Sequence, residues 1–401
     1  MSALHSKILT AIESVIRSKD DSRIIPLHEP FFDNTNAWKY VKSCIDTGWV
    51  SSAGDWVTKF ENRICSYTGS KYAVVVNNGT VGLRLALHVI GVKFGDEVLV
   101  PPYSFVASAN AISHLGATPH FVDVEESTFS MCPKALDLLL EKIAFRKDGK
   151  IFNRETGRRI AAIMPVHVFG IPADLFSLSK ISKAWGIPMV EDTAEALGSW
   201  INFEGTKIHC GLKGELGVIS FNGNKLITTG GGGVLITNNE KFAIRARHLS
   251  TTAKVSHPWE FNHDEIGWND RMPNLNAALG CSQLEVLEER LLRKKDLLEK
   301  YRSTLNHIKQ VSFVSPRDGS ISNNWLITIL LNIEDESIVK KERDELLKQS
   351  HKRNILLRPL WKPLNKLEIY RHSPKGSLIN AEKFQFSIIN LPSSPQLLNN
   401  S

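Results

Sequence analysis

The sequence predicts an α/β protein of two domains, a large one on a mostly parallel sheet and a smaller α/β one at the C-terminal end. Three observations carry this. A chain of 401 residues exceeds what one hydrophobic core serves. From about residue 71, short continuous apolar runs alternate with amphipathic stretches, the pattern of a sheet covered on both faces. No internal repeat or low-complexity linker interrupts the chain, so the domains are packed rather than tethered.

Residues 1–50 are expected to contribute to the smaller domain and to the entrance of the site. The large domain spans 51–275. KYAVVV (71–76) reads as a strand and NGTVGLRLALHVIGV (78–92) as the helix after it. DEVLVPP (96–102), TPHFVDV (118–124), AAIMPVHVF (161–169) and PMVED (188–192) are further strands with helical segments between them. The polar insertion KDGKIFNRETGRR (147–159) looks like a hairpin between helix and strand. SWINF, GVISF (217–221) and GGVLITN (232–238) follow, then a helix at about 240–250. Asn276 to Ile308 reads as a long helical connector, and 309–401 mixes strands and helices, so 276–401 forms the connector and the smaller domain.

Composition narrows the function class. At 42% hydrophobic and 23% charged residues, the chain is neither disordered nor fibrous. No apolar run approaches the ~18 residues of a membrane span. The opening MSALHSKILTAIESVIRSKDDSR is amphipathic and partly acidic, unlike a secretory or organellar signal. Cys44, Cys65, Cys132, Cys210 and Cys281 are scattered and odd in number, so neither a disulfide framework nor a metal site is expected, and a cytoplasmic location fits. The net charge of +7 comes without a basic arm, which argues against nucleic acid. Arg293, Lys294 and Lys295 read as a solvated helix face, and a basic cleft for a phosphorylated small molecule accounts for the excess.

Three stretches could carry chemistry. Asn78-Gly79-Thr80 lies between a strand end and a helix start, where free amides and the positive end of the helix dipole hold a phosphate; alone, a plain N-cap is the safer reading. Glu191-Asp192 ends an apolar strand, at the edge where open α/β sheets hold their ligands. A buried acid there needs a cation, such as a protonated pyridine nitrogen; an N-cap or a metal ligand is the plainer reading. Ser220-Phe221-Asn222-Gly223-Asn224-Lys225 precedes the run Gly230 to Gly233. A lysine leaving a strand beside small residues can bury its amine against a flat cofactor; taken singly, a surface lysine beside a flexible loop is the safer reading. The lysine precedes the glycines, so this is no Walker loop.

Together these occur in the order of pyridoxal 5′-phosphate (PLP) enzymes: phosphate turn, strand-end acid for the ring nitrogen, lysine for the aldehyde. Phe105, in PPYSFVASAN, is the candidate to cover the ring face, and a core role is its alternative.

These residues sit in stretches that together resemble the DegT/StrS-type sugar aminotransferases, from about Ile25 to Pro395: NGTVGLRLAL, GDEVLVPPYSFVASANAISHLGATPHFVDV, PVHVFGIPADL, PMVEDTAEALGS, ISFNGNKLITTGGGGVLITN and GWNDRMPNLNAALGCSQLE. The resemblance implies the PLP-dependent transferase fold type I, with a mostly parallel seven-stranded sheet. It implies that Lys225 is the Schiff-base lysine and Asp192 the partner of the ring nitrogen. Gly79, Thr80 and Ser220 match phosphate-binding positions, and Phe105 matches the stacking aromatic. Glu195 falls where most members have Gln touching the ring hydroxyl. Asn269 matches an asparagine that reaches the phosphate of the neighbouring subunit's cofactor, which implies a homodimer with shared active sites. His167 matches a histidine near the site, expected on the substrate side with structural support as the alternative.

IPLHEPFF, CIDTGWVSSAGDWVTKFE, the hairpin insertion, LSTTAK and NLPSSP resemble the branch serving legionaminic acid or bacillosamine synthesis. That likeness implies L-glutamate as donor and C4 of a UDP-linked 4-keto-6-deoxy-N-acetylhexosamine as acceptor, with Trp49, Val50 and Ser51 near the sugar. Asn365 stands where a histidine is the rule in this branch. Some relatives of the fold are dehydratases with histidine in place of the lysine; Lys225 favours amino transfer.

Overall fold

The computed structural model describes residues 3–16 and 22–398, so the ends of the two expected terminal spans, and residues 17–21, lie outside the described residues. Three helices open the chain: α1 (Leu4–Ile16), α2 (Ala37–Thr47) and α3 (Asp55–Thr68). Then strands and helices alternate as β1 (Tyr72–Val76), α4 (Gly79–Val89), β2 (Glu97–Val100), α5 (Ala107–Ser113), β3 (Thr118–Phe121) and α6 (Pro133–Ile143). The polar insertion is a hairpin, β4 (Ala144–Lys147) and β5 (Lys150–Asn153). Next come β6 (Ile160–Ile163), α7 (Leu175–Trp185) and β7 (Val190–Asp192). A second hairpin, β8 (Trp200–Phe203) with β9 (Thr206–His209), leads to β10 (Leu216–Ser220), β11 (Gly233–Thr237) and α8 (Glu240–Ser250).

β1, β11, β10 and β7 form one ladder and β3, β2 and β6 another. Parallel bridges Ile163–Met189 and Val166–Asp192 stitch the two together. The result is one seven-stranded surface in which only β11 runs antiparallel to its neighbours. Both faces are covered. On β1, Val74 and Val76 pack with Leu83 and Leu87 of α4 and Ala246 of α8, while Ala73 and Val75 pack with Phe60 of α3 and Ala277 on the other side. Continuous apolar strands are the sequence consequence of that double burial.

The expected connector is two helices, α9 (Asn274–Leu284) and α10 (Leu287–Leu305), broken at Glu285-Val286. Its basic cluster needs a correction. Lys294 is no solvated residue: its side chain is fully buried, and its ammonium donates to the carbonyls of Ser393 and, at 3.1 Å, Trp325. Burial pushes its pKa well below the ordinary value. A four-residue reach across the helix turns this position inward while Arg293 and Lys295 stay nearer solvent.

The rest of the chain holds β12 (Val311–Phe313), β13 (Ser320–Ile321), β14 (Ile327–Leu331), α11 (Glu336–Lys352), β15 (Arg358–Pro359), α12 (Ile379–Phe384) and β16 (Ile388–Leu391). β12, β14, β16 and β15 make an antiparallel sheet. Its core takes Ile8, Leu9 and Ile12 of α1 together with Leu297 and Tyr301 of α10 and Leu346 of α11. Ile25 extends it through a bridge to Ile355. Among the described residues, no helix is long and apolar enough to cross a membrane.

Candidate functional site

The carboxyl ends of the sheet strands, the start of α4 and the edge of the small sheet enclose a cavity of about 270 Å³, near the lower end of the roughly 300–1,000 Å³ usual for small-molecule sites. Its wall includes Gly79, Thr80, Phe105, Asp192, Glu195, Ser220 and Lys225, seven of the residues singled out in the sequence.

The turn at Asn78 is both a cap and a cradle. Asn78 Oδ1 accepts the Val81 amide at 3.0 Å, fixing the first turn of α4. Among the described residues the amides of Gly79 and Thr80 have no hydrogen-bond partner, and they lie at the cavity wall beside the Ser220 hydroxyl. The glycines here serve close approach. A Cβ on Gly79 would stand 3.0 Å from Ser220 Cβ, and one on Gly233 would stand 2.8 Å from the Asn78 carbonyl. So part of the glycine run is spent on seating β11 against the anion turn.

Asp192 ends β7 with a buried carboxylate. Ser108 Oγ donates to its Oδ2 at 2.6 Å and the Ala194 amide to its Oδ1 at 3.1 Å, while Ser104 and Ser108 hydroxyls lie 2.5 Å apart. Since Ser108 spends its proton on Asp192, Ser104 donates to Ser108. Burial pushes the Asp192 carboxyl above its ordinary range in spite of these donors. Among the described residues no cation forms an ion pair with it, and Lys225 acts on it only from beyond contact.

Lys225 leaves the loop after β10. Its ammonium lies 3.1 Å from Glu195 Oε1 and 3.9 Å from the ring centroid of Trp325. Trp325 is held by its indole N–H on the Asn224 carbonyl at 2.8 Å and by its amide on Asn323 Oδ1 at 2.8 Å. Phe105 borders the cavity and is 56% exposed, which rules out the core role.

His167 is a correction to the expected substrate side. It is fully buried and outside the cavity wall. Its Nδ1 accepts the Ala173 amide at 3.1 Å, so Nε2 carries the proton and donates to Glu191 Oε2 at 3.0 Å. Although burial raises the Glu191 carboxyl, His167 and the amides of Gly214 and Gly211 outweigh it and hold the acid below its ordinary range. His167 therefore supports β7 from behind. His167→Ala is expected to cost roughly 1.5–3 kcal/mol of stability, the worth of a hydrogen bond to a charged group. A thermal melt checks this; the folded fraction should keep its cofactor.

Three further residues are not brought to the cavity within one chain. Trp49 is 58% exposed and Ser51 is exposed; their carbonyls accept from the Asn274 side chain at 2.7 Å and its amide at 2.8 Å. Asn269 is exposed on a bridge to Thr251, its carbonyl 3.2 Å from Asn77 Nδ2, beside the anion turn but outside the wall.

Reasoning from sequence missed Ser108, Trp325, Arg358 and Trp361, all in the wall. The signal for the last two was RPLWKP, in which prolines stiffen a short Arg–Trp pair. Arg358 lies 5.4 Å from the Trp361 ring centroid, and its buried Nε and Nη2 have no hydrogen-bond partner among the described residues.

The residues present fit PLP: an uncompensated buried acid for the ring nitrogen, unpaired helix-start amides for the phosphate, and an amine between them. The comparisons agree. The family model for DegT/DnrJ/EryC1/StrS aminotransferases matches residues 33–401. The GDP-perosamine synthase of Escherichia coli O157:H7 is 34% identical over 377 residues, 94% of this chain and 95% of that protein. The aminotransferase TlmJ from Streptoalloteichus hindustanus has a TM-score of 0.80 at 28% identity, covering 92% of this chain and 93% of that one. Spr1654 of Streptococcus pneumoniae, solved in its PLP-form, gives 0.79 at 25%, covering 92% and 93%. With a family match over more than nine-tenths of its length and PLP as its cofactor, this chain belongs to the DegT/DnrJ/EryC1/StrS aminotransferase family.

Proposed function

We propose that the enzyme moves the amino group of L-glutamate to C4 of a UDP-linked 4-keto-6-deoxy-N-acetylhexosamine, for surface-glycan sugars of the legionaminic acid or bacillosamine type. It works in the cytoplasm as a homodimer in which Asn269, Trp49 and Ser51 of one subunit complete the cavity of the other. One observation carries the amino-transfer reading: Lys225, Asp192, Gly79 and Thr80 all line one cavity. The branch-like stretches around Trp49 and in the hairpin insertion support the substrate.

Bound PLP supplies an aldehyde that links covalently to amines and a ring that draws off an electron pair. The chain's own residues do the rest. Gly79, Thr80 and Ser220 hold the phosphate, and Asp192 keeps a proton on the ring nitrogen. Lys225 Nζ would hold the cofactor through its aldehyde and, when free, would carry the proton at the donor's α-carbon. Phe105 covers the cavity mouth and keeps water from the reacting face.

Arg358 is the residue for the donor's carboxylate. Its unpaired Nε and Nη2 form the edge that Arg159 uses on Asp96 elsewhere in the molecule. Arg358→Gln should raise KM for glutamate roughly 10–100-fold, the worth of about 1.5–3 kcal/mol, and leave KM for the keto sugar within about twofold. A matched pair of half-reaction titrations checks the split.

A second reading, a GDP-linked keto sugar, is favoured by the likeness to GDP-perosamine synthase. Supplying UDP- and GDP-linked 4-keto sugars side by side with glutamate decides between them. Amination of neither, with the donor half-reaction intact, would remove both.

A further inference from the structure

We infer that Glu195 is a second acid–base group of this enzyme: its Oε1 takes up the proton that Lys225 must give up for its amine to react. The inference rests on Lys225 being the cofactor-bonding lysine.

The contact is direct and buried. Glu195 Oε1 lies 3.1 Å from Lys225 Nζ, with side-chain exposures of 6% and 13%. Its other oxygen, Oε2, accepts the Phe169 amide at 2.9 Å. That amide is aimed by a backbone held at φ 59°, a left-handed conformation that costs a bulky residue about 1–3 kcal/mol. The Glu195 carbonyl is in turn clamped by Asn323 Nδ2 at 2.8 Å. The carboxyl is thus held at Oε2 by one amide, its residue is pinned through the backbone by Asn323, and Oε1 is turned to Lys225.

Among the described residues, the carboxylate within ion-pair distance of the Lys225 ammonium is Glu195, whereas Asp192 makes no such pair. The charged groups that face Glu195 are Lys225, Asp192 and Arg358. The negative charge of Asp192 opposes a second anion, and burial also pushes the Glu195 carboxyl upward. Lys225 and Arg358 pull the other way. Once Lys225 gives up its charge to a covalent bond, the main cationic pull is gone and the carboxylate is left buried without its near cation.

The transfer is balanced. The N–H bond of the ammonium breaks with its electron pair staying on Nζ, and an O–H bond forms at Oε1. Nothing is oxidised or reduced, and an ion pair becomes a neutral pair with no change of net charge in the cavity. A purely positional role would need only the oxygen atom, which an amide also offers.

The test uses full-length protein stripped of cofactor, wild type and E195Q, titrated with PLP at mildly acidic pH in two buffers of different ionisation enthalpy. E195Q is expected to release about one proton more per site than wild type, because the pair's proton has no second residence. Equal proton counts overturn the proposal. Infrared difference spectra of the wild type alone should show a protonated carboxyl appearing on PLP binding; its absence overturns the proposal whether or not E195Q folds. A Lys225→Ala protein that still gains the visible absorption of a bonded cofactor would instead remove the lysine assignment beneath it.

Discussion

Lys225→Ala is expected to be colourless and to lose roughly 10⁴-fold or more in turnover, since in the proposed function one amine serves as both covalent anchor and proton carrier. The neighbouring Lys213 and Lys207 cannot replace it, because neither borders the cavity. The variant should fold. Lys225 has one carboxylate contact and one ring contact, and the strand before it is seated by Val218 and Ile219 in the two apolar layers. A visible spectrum after adding PLP, and a glutamate half-reaction in single turnover, check both parts. Full activity or a normal visible band in this variant would end the assignment.

Asp192→Asn is expected to act on catalysis and stability in opposite directions. A carboxylate beside the ring nitrogen favours its protonated form by about 1–3 pKa units, or roughly 1.4–4 kcal/mol, so its loss should slow the donor half-reaction about 10–1,000-fold. In the cofactor-free protein the same carboxyl is a burden. Its folded-state pKa is raised above the ordinary 3.8 by burial. For an acid with a raised pKa, the folded state binds the proton more firmly. The favourable contribution is present at acid pH and is lost as pH rises from 3.8 through the raised value. Asparagine buries no charge, so cofactor-free Asp192→Asn should be more stable than wild type at neutral pH and show no such gain at acid pH. Paired melts at the two pH values check this. A less stable variant at neutral pH would show that Ser108 and the Ala194 amide already compensate the charge.

Much of the large domain was legible because its rules are local. Continuous apolar strands, turn glycines and the Asn78 cap each announce themselves within a few residues, and a sheet buried on both faces leaves no polar stripe to confuse the period. The order of turn, acid and lysine was legible for the same reason, since each motif joins a strand end to a loop. Lys294 and His167 were not. A buried lysine on a helix face differs from a solvated one only in what faces it, and here that is the carbonyls of Trp325 and Ser393, which lie far along the chain. His167 was placed by resemblance near the substrate with structural support as the alternative, and its partners, Glu191 of β7 and the Ala173 amide, give it the supporting role.

By itself, then, the sequence determined which residues have the chemistry and which strand ends carry them, because periodicity, capping and glycine placement are properties of short segments. Only the tertiary structure decided which of those residues share a cavity. It turned Glu195 onto Lys225, set Trp325 beneath the amine and brought Arg358 across from the small sheet, contacts between segments whose separation leaves no trace in local pattern. The physical reason is that burial and pairing, which decide what a side chain does, belong to the packed core and not to the stretch of chain that supplies it.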